Sequence, residues 1–197
     1  MSSETGRRGF RIGLAAGLMF AAAACSLPAQ PVPTYDLIAP RDFGKMRPAR
    51  GLIEVTIPNA LQVLDTEKIV VEPQAGVVTY LSDGQWSDRL PKLLQARMIE
   101  AFENSSRIRT VARAGDRVSA DAQLVTDIRT FGIQGKDAVV ELSVKLIGTR
   151  GGRINAAKVF TARVPAPATS GGAAAIAIND ALNIALIDIV RWTATKI

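Results

Sequence analysis

The residue types that carry most enzymatic chemistry are scarce in this chain. Its 197 residues include one cysteine, Cys25, and no histidine. Without histidine, the chain cannot form a Ser-His-Asp or Cys-His nucleophile or a histidine-ligated metal site. It also has no glycine-rich loop with the spacing and the lysine of a phosphate-binding site. These features exclude histidine-dependent hydrolases and nucleotide-binding enzymes of the P-loop class.

Paired carboxylates are the remaining candidates for acid–base catalysis. Asp121 and Asp127 form one nearby pair, and Asp137 and Glu141 form another. Each of the four falls at the edge or the turn of a predicted strand, where acidic residues are ordinary in proteins of every function. We therefore expect no enzymatic activity, no cofactor and no metal.

Cys25 stands at the end of a segment with the composition of an export signal. Three arginines lie within residues 7–11, and residues 12–24 carry no charge. This apolar run is too short to be a permanent membrane-spanning helix and has the proportions of a signal peptide. The alanines of residues 22–24 lead into the cysteine as in a lipobox, and a lone thiol in an exported chain needs an explanation. We expect a signal peptide over residues 1–24 and a lipid on Cys25; an ordinary signal peptide before an unmodified cysteine is the alternative, and Sec or twin-arginine export stays open.

The rest of the chain reads as a tether followed by one domain. Residues 25–34 contain three prolines, which favour an extended spacer, and residues 35–197 are enough for a sizeable core. Residues 1–24 hold three of the 24 basic and one of the 18 acidic residues of the chain. The remaining part, from Cys25 onward, therefore has 21 basic and 17 acidic residues and a net charge of +4. No block of lysine and arginine is interleaved with aromatic residues, so no nucleic acid is expected as a partner.

Strands are predicted where β-branched residues alternate or cluster between turn residues. They cover residues 35–38, 52–57, 68–72, 76–81, 108–112, 122–133, 138–147 and 154–164. Two segments instead have helical periodicity, residues 88–104 and 172–195. The order of these elements predicts an α+β, two-layer domain in which a mostly antiparallel sheet is covered by two amphipathic helices.

The first helix is expected to begin at Asp88 as its N-cap, with Pro91 in the first turn. Leu94 falls on its apolar side. Tyr80 and Trp86 precede the helix, and we expect both to fill the core around it rather than to contact lipid, which is the alternative.

Two isoleucines interrupt the polar side of the second helix. Ile176 and Ile187 fall among Asn179, Asn183 and Arg191 at 100° per residue. Either a loop covers these isoleucines, or they contact another subunit or a second copy of the chain. Ile176 and Ile187 are therefore tentative partner-contact residues.

Several stretches, in this order along the chain, resemble a known family, the ABC-type transport auxiliary lipoproteins (PqiC-like). They are Cys25 with the proline tether, Tyr35-Asp36-Leu37, Leu64-Asp65, Val77-Val78-Thr79-Tyr80, Trp86, Pro91-Lys92-Leu93-Leu94, residues 122–128 with Phe131, and the last helix with Trp192. The resemblance covers most of residues 25–195. The stretch Gly84–Leu90 departs from it, because an asparagine or similar residue before the tryptophan and a second proline near Pro91 are missing.

The resemblance implies a non-catalytic periplasmic subunit that works with an ABC permease, its ATPase and an MCE-domain protein to move lipid between the inner and outer membranes. The alternative is a lipoprotein of outer-membrane assembly or envelope maintenance with no transport role. Ser26, in place of aspartate, resembles the sorting pattern for the periplasmic face of the outer membrane. The lipid, its direction and the number of copies in an oligomer stay open, as does the inner membrane as a location.

The lipid anchor can be tested by one substitution. Cys25→Ser should abolish labelling with a fatty-acid analogue and move the protein from the membrane to the soluble fraction. The effect should be large, because several acyl chains bind a bilayer far more firmly than a single chain. Unchanged membrane partition of the variant would show that the lipid is not the sole anchor.

Overall fold

The computed structural model describes residues 31–46, 48–106, 108–116, 119–166 and 170–197. Cys25 and the predicted signal peptide lie outside these residues. The chain from Val32 to Ile197 forms one compact unit. Nearly all of the buried apolar residues of the described chain form one cluster inside it. This unit therefore carries the core that it needs to fold without residues 1–31.

Strands and helices follow the predicted order. In sequence they are β1 (Thr34–Tyr35), β2 (Ala49–Val55), β3 (Asn59–Ala60), β4 (Lys68–Gln74), β5 (Val77–Trp86), α1 (Leu90–Ser105), β6 (Ile108–Arg113), β7 (Ala122–Gln134), β8 (Asp137–Gly148), β9 (Ile154–Pro165) and α2 (Gly171–Ala194). The α+β class is confirmed.

The strand β7 is the centre of the sheet. On one side it pairs antiparallel with β8, from Ala122 opposite Gly148 to Gln134 opposite Asp137. The hairpin turns at Gly135, whose φ of 60° suits a residue without a side chain. On its other side β7 pairs in succession with β2, β3 and β4. The remaining strands extend the sheet, with β9 beside β8, β6 beside β2, β5 beside β4 and β1 beside β5.

The sheet is mixed rather than uniformly antiparallel. Its longest ladders, β7–β8 and β8–β9, are antiparallel as predicted. However, β2, β3 and β4 all run parallel to β7, because the chain from residue 53 to residue 72 advances along that strand without reversing. Strand β6 is parallel to β2 because α1 returns the chain between them, as a crossover must.

Both helices lie on the same layer of the domain and bury an apolar side. Leu94, Met98 and Phe102 of α1 are fully buried at four-residue spacing. The predicted N-cap of α1 is wrong, because the helix begins at Leu90 and its cap position makes no side-chain bond. Asp88 instead accepts a bond from the next backbone amide, at 2.8 Å, and its pKa is lowered mainly by its bond with Lys92.

The two aromatic residues before α1 have different environments. Trp86 is buried and meets Phe131 edge to face, with ring centroids 6.0 Å apart. The expectation that Tyr80 is also in the core is wrong, since 40% of it is exposed. Its ring lies 5.0 Å from the Lys68 ammonium, and its hydroxyl donates to the Val63 carbonyl at 3.4 Å. Strand pairing places Tyr80 opposite Val70, on β4, rather than against the helix.

The helix α2 is long and apolar enough to cross a membrane, with a mean hydropathy of 1.7. Yet 56% of the most apolar 18-residue stretch of this helix is buried inside the protein. Its buried residues include Ile178, Leu182 and Ile189. Packing against β8 and β9 therefore accounts for its hydropathy without a membrane.

Burial of Leu94 gives a direct test of the helix layer. Leu94→Ala should lower the free energy of unfolding by roughly 2–5 kcal/mol, because it leaves a cavity in a packed core. Urea denaturation followed by circular dichroism measures this change. Glu103→Ala, at an exposed position of the same helix, should stay within about 0.5 kcal/mol of the parent. Equal stability of the two variants would contradict the placement of this face.

Candidate functional site

The carboxylates that could have served in acid–base chemistry are bound to partners that hold strands together. An oxygen of Asp121 accepts the Leu52 amide at 2.9 Å, which joins β7 to β2. Asp137 pairs with Arg163 at 3.0 Å, joining β8 to β9. Glu141 pairs with Arg129 at 3.3 Å. In the part of the chain that the structure describes, no three acidic, histidine or cysteine residues are placed to hold a metal ion.

Asp127 is the most strongly held of these carboxylates. The Lys145 ammonium lies 2.9 Å from one oxygen, and the Asn59 amide donates to the other at 3.0 Å. The bond from Lys145, and then that from Asn59, lowers the pKa of Asp127. A general acid working near neutral pH needs the opposite shift. The environment of Asp127 is that of a structural ion pair.

A more distinctive feature is an irregular segment, Asp36–Met46, which crosses both helices and which we call the strap. The Asn104 side chain of α1 donates to the Pro40 carbonyl at 3.1 Å. On α2, Asn179 accepts the Ile38 amide at 2.7 Å. Further along α2, the Arg191 guanidinium donates through Nε and Nη2 to the Phe43 carbonyl, at 3.1 and 2.9 Å.

The strap is fastened by burial as well as by hydrogen bonds. Leu37, Ala39 and Phe43 are buried in the core. At its start, Asp36 accepts from the Ser87 hydroxyl at 3.2 Å and from Arg97 of α1 at 3.3 Å. A segment without regular structure is thus tied to both helices.

The strap explains the environment of Ile187. Residues four apart form one row along a helix, and Asn179, Asn183, Ile187 and Arg191 form such a row. The strap binds both ends of this row, and Ile187 between them is partly buried against the core. Of the two alternatives left open by the sequence, partial burial favours cover by another part of the chain for Ile187 but not for Ile176, which is exposed.

The neighbouring row of α2 is exposed. It consists of Ile176, Asp180, Ile184 and Asp188, and we call it the outer row. Ile176 is 66% exposed and Ile184 is 47% exposed. Ile176 was predicted from the sequence but Ile184 was not, although four-residue spacing places both in one row. The outer row therefore alternates apolar and acidic side chains on an uncovered face.

Comparison with known proteins places this fold in a family. The family model described as the ABC-type transport auxiliary lipoprotein component matches residues 35–190. An uncharacterised protein of Bradyrhizobium diazoefficiens is 30% identical over 177 residues, which cover 86% of this chain and 47% of that protein. The chain thus spans about half the length of this relative.

Solved structures share the fold. A crystal structure from Xanthomonas campestris, of the DUF330 family, has a TM-score of 0.74 at 26% identity and covers 83% of this chain and 95% of that one. A hypothetical protein of Chlamydia trachomatis has a TM-score of 0.55 at 8% identity, covering 75% and 98% of the two chains. At that identity the second likeness shows the fold alone.

The structural role of Asp127 predicts a pH dependence. Because its pKa is lowered in the folded protein, the ion pair stabilises the fold above the unfolded pKa of about 4. This contribution is lost as the pH falls through the folded pKa. Asp127→Asn should therefore cost roughly 0.2–1 kcal/mol at pH 7, since the pair is partly exposed, and less at pH 3. Urea denaturation at both pH values measures it.

Asp180→Asn, at an exposed position on α2, is the matched control and should change stability little at either pH. A cost of Asp127→Asn that is the same at pH 7 and pH 3 would contradict the role of the Lys145 bond.

Proposed function

The chain belongs to the ABC-type transport auxiliary lipoprotein family, and from that we propose that it is a non-catalytic, lipid-anchored accessory subunit of an ABC transporter. The observation that carries the proposal is the family match over residues 35–190. In the finer form of the proposal, the transporter includes an MCE-domain protein and moves lipid between the inner and outer membranes. The chain would work at the periplasmic face of the outer membrane.

The non-catalytic part of the proposal is supported by what the polar side chains do. The candidate carboxylates bind backbone amides or cations of neighbouring strands. Among the described residues no metal-binding cluster is found, and the sequence contains no histidine. Groups committed to such partners hold the sheet together and are not poised for proton transfer.

The proposed anchor would keep the domain near its membrane. Eight residues separate Cys25 from Thr34, where β1 begins. Even fully extended, they would span only about 30 Å. A lipid on Cys25 would therefore confine the domain to a layer beside the bilayer, within reach of membrane-bound transporter subunits.

The outer row is the surface that we propose for the transporter partner. Burial of both isoleucines could contribute about 3–6 kcal/mol, at roughly 1.5–3 kcal/mol for each fully buried side chain. Asp180 and Asp188, exposed on the same row, would favour a partner groove that is apolar in its centre and has lysine or arginine at its rim. Ile38 of the strap, which is 64% exposed and is bonded through its amide to Asn179, could extend this surface.

Affinity capture of the full-length protein from detergent-solubilised membranes tests this function. The parent protein should retain the permease, the ATPase and the MCE-domain protein, identified by mass spectrometry. The double variant Ile176→Ser with Ile184→Ser should lose them, because it removes the apolar contacts, while its melting temperature stays near that of the parent.

Ile154→Ser is the matched control, since Ile154 is 61% exposed at the start of β9 and does not belong to the outer row. This variant should retain the transporter. Ile187→Ser, in contrast, should lower the melting temperature, because Ile187 packs against the core. Capture of no transporter subunit by the parent protein would overturn the proposed function, and full retention by the double variant would overturn the assignment of the surface.

A further inference from the structure

A groove of about 480 Å³ lies at the C-terminal end of α2, beside the end of the strap. It is lined by Lys45, Met46, Pro48, Arg191, Ala194 and Thr195. Its volume falls in the range of small-molecule sites. The lining combines two cations with three apolar side chains, which suits a molecule that is itself part charged and part apolar.

The cations of this groove form no ion pair with any residue that the structure describes, unlike many cations elsewhere in the domain. Ion pairs engage Arg89, Lys92, Arg97, Arg129, Lys145 and Arg163. Within the described ranges, neither Lys45 nor Arg191 has a carboxylate at ion-pair distance. Unpaired cations gathered in a concave site attract anions more strongly than scattered ones.

Further positive charges lie close to the groove-lining residues in the sequence. These are Arg41, Arg50 and Lys196, whose side chains are exposed. None of them forms an ion pair with a described residue. The acidic residues nearest in sequence are Asp42 and Asp188. Asp42 is engaged by the Gly44 amide at 2.8 Å, and Asp188 belongs to the outer row.

Arg191 is held in place before any ligand arrives. Its Nε and Nη2 both donate to the Phe43 carbonyl. The bond from the Gly44 amide to Asp42 shapes the turn that presents this carbonyl, and Gly44 has a φ of 58°. A Cβ at Gly44 would lie 3.1 Å from Arg191 Nη2, so the turn and the guanidinium fit closely. The protons of Nη1 are not used in these bonds and remain for an anion.

We propose that this groove binds the phosphate of an anionic phospholipid head group. The phosphate would lie between Lys45 and Arg191, since a guanidinium and an ammonium are the usual partners of phosphate oxygens. The glycerol and the first acyl carbons would lie against Met46, Pro48 and Ala194. The C-terminal end of α2 carries about half a negative charge, which the full charges of the two lining cations outweigh.

The groove is separate from the surfaces already assigned. Arg191 of the groove lies seven residues beyond Ile184 on α2, about 10 Å along the helix axis at 1.5 Å per residue. None of the residues that line the groove belongs to the outer row. The groove goes beyond the proposed function, because it depends on no transporter partner.

The binding test uses soluble chain 25–197 with Cys25→Ser, which contains the whole compact unit. Dihexanoyl phosphatidylglycerol, dihexanoyl phosphatidylcholine and inorganic phosphate are titrated separately, below micelle-forming concentrations and at low salt. Backbone amide NMR shifts report both the site and the dissociation constant. We expect saturable shifts at Lys45, Met46, Ala194 and Thr195 with phosphatidylglycerol, and weaker binding of phosphatidylcholine and of phosphate.

Matched variants separate the groove from general positive charge. Lys45→Gln should weaken phosphatidylglycerol binding about tenfold, the effect of losing one charge-assisted contact. Lys136→Gln removes an equally exposed lysine from the β7–β8 turn and should leave the dissociation constant unchanged. Arg191→Lys keeps the charge without the guanidinium and should also weaken binding, with unaltered spectra elsewhere showing that the fold persists.

Several results would overturn the proposal. These are the absence of saturable shifts with phosphatidylglycerol, shifts that map away from the groove, or equal weakening by Lys45→Gln and Lys136→Gln. Binding of inorganic phosphate as tight as that of phosphatidylglycerol would overturn the lipid assignment. None of these results bears on capture of the transporter, so the two proposals fail independently.

Discussion

The architecture depends on the pairing of β7 along both of its edges. One edge is filled along its length by β8, with one register shift between Ile128 and Thr130, and the other by three short strands laid end to end. Because side chains alternate along a strand, this register sends Leu124, Thr126 and Ile128 to the buried face. Gln123, Val125 and Asp127, which alternate with them, point to the partly exposed face. A slip of one residue would exchange the two faces, so the ion pair of Asp127 with Lys145 also depends on this register.

The helix layer that covers this face is divided by the strap. Because the strap binds Asn179 and Arg191, it covers one row of α2 and leaves the next row open. The same segment presents the Phe43 carbonyl that orients Arg191 at the far end of the helix. One irregular stretch thus defines both the exposed outer row and the cationic groove, at separate places on a single rigid helix.

Local patterns in the sequence predicted much of this fold but not what covers each face. The alternation in residues 138–147 and the turn at Gly135 were sufficient for the β7–β8 hairpin, and helical spacing placed Leu94 in the core. The environment of Ile187 could not be assigned in this way, because the residues on either side of it in the row, Asn179 and Arg191, are bonded to a segment more than 140 residues earlier in the chain. The parallel pairing of β2, β3 and β4 was missed for a similar reason, since pairing between distant strands leaves no periodic signal.

The claim that the outer row docks on the transporter is tested most directly by site-specific crosslinking. Cys25 is the only cysteine of the chain, so if it is acylated an introduced cysteine is the sole free thiol. The account predicts that a photo-crosslinker on Ile184→Cys forms adducts with a transporter subunit in membranes, whereas one on Thr161→Cys, on the exposed face of β9, does not. Adducts from Thr161→Cys alone would contradict it and would place the contact on the sheet.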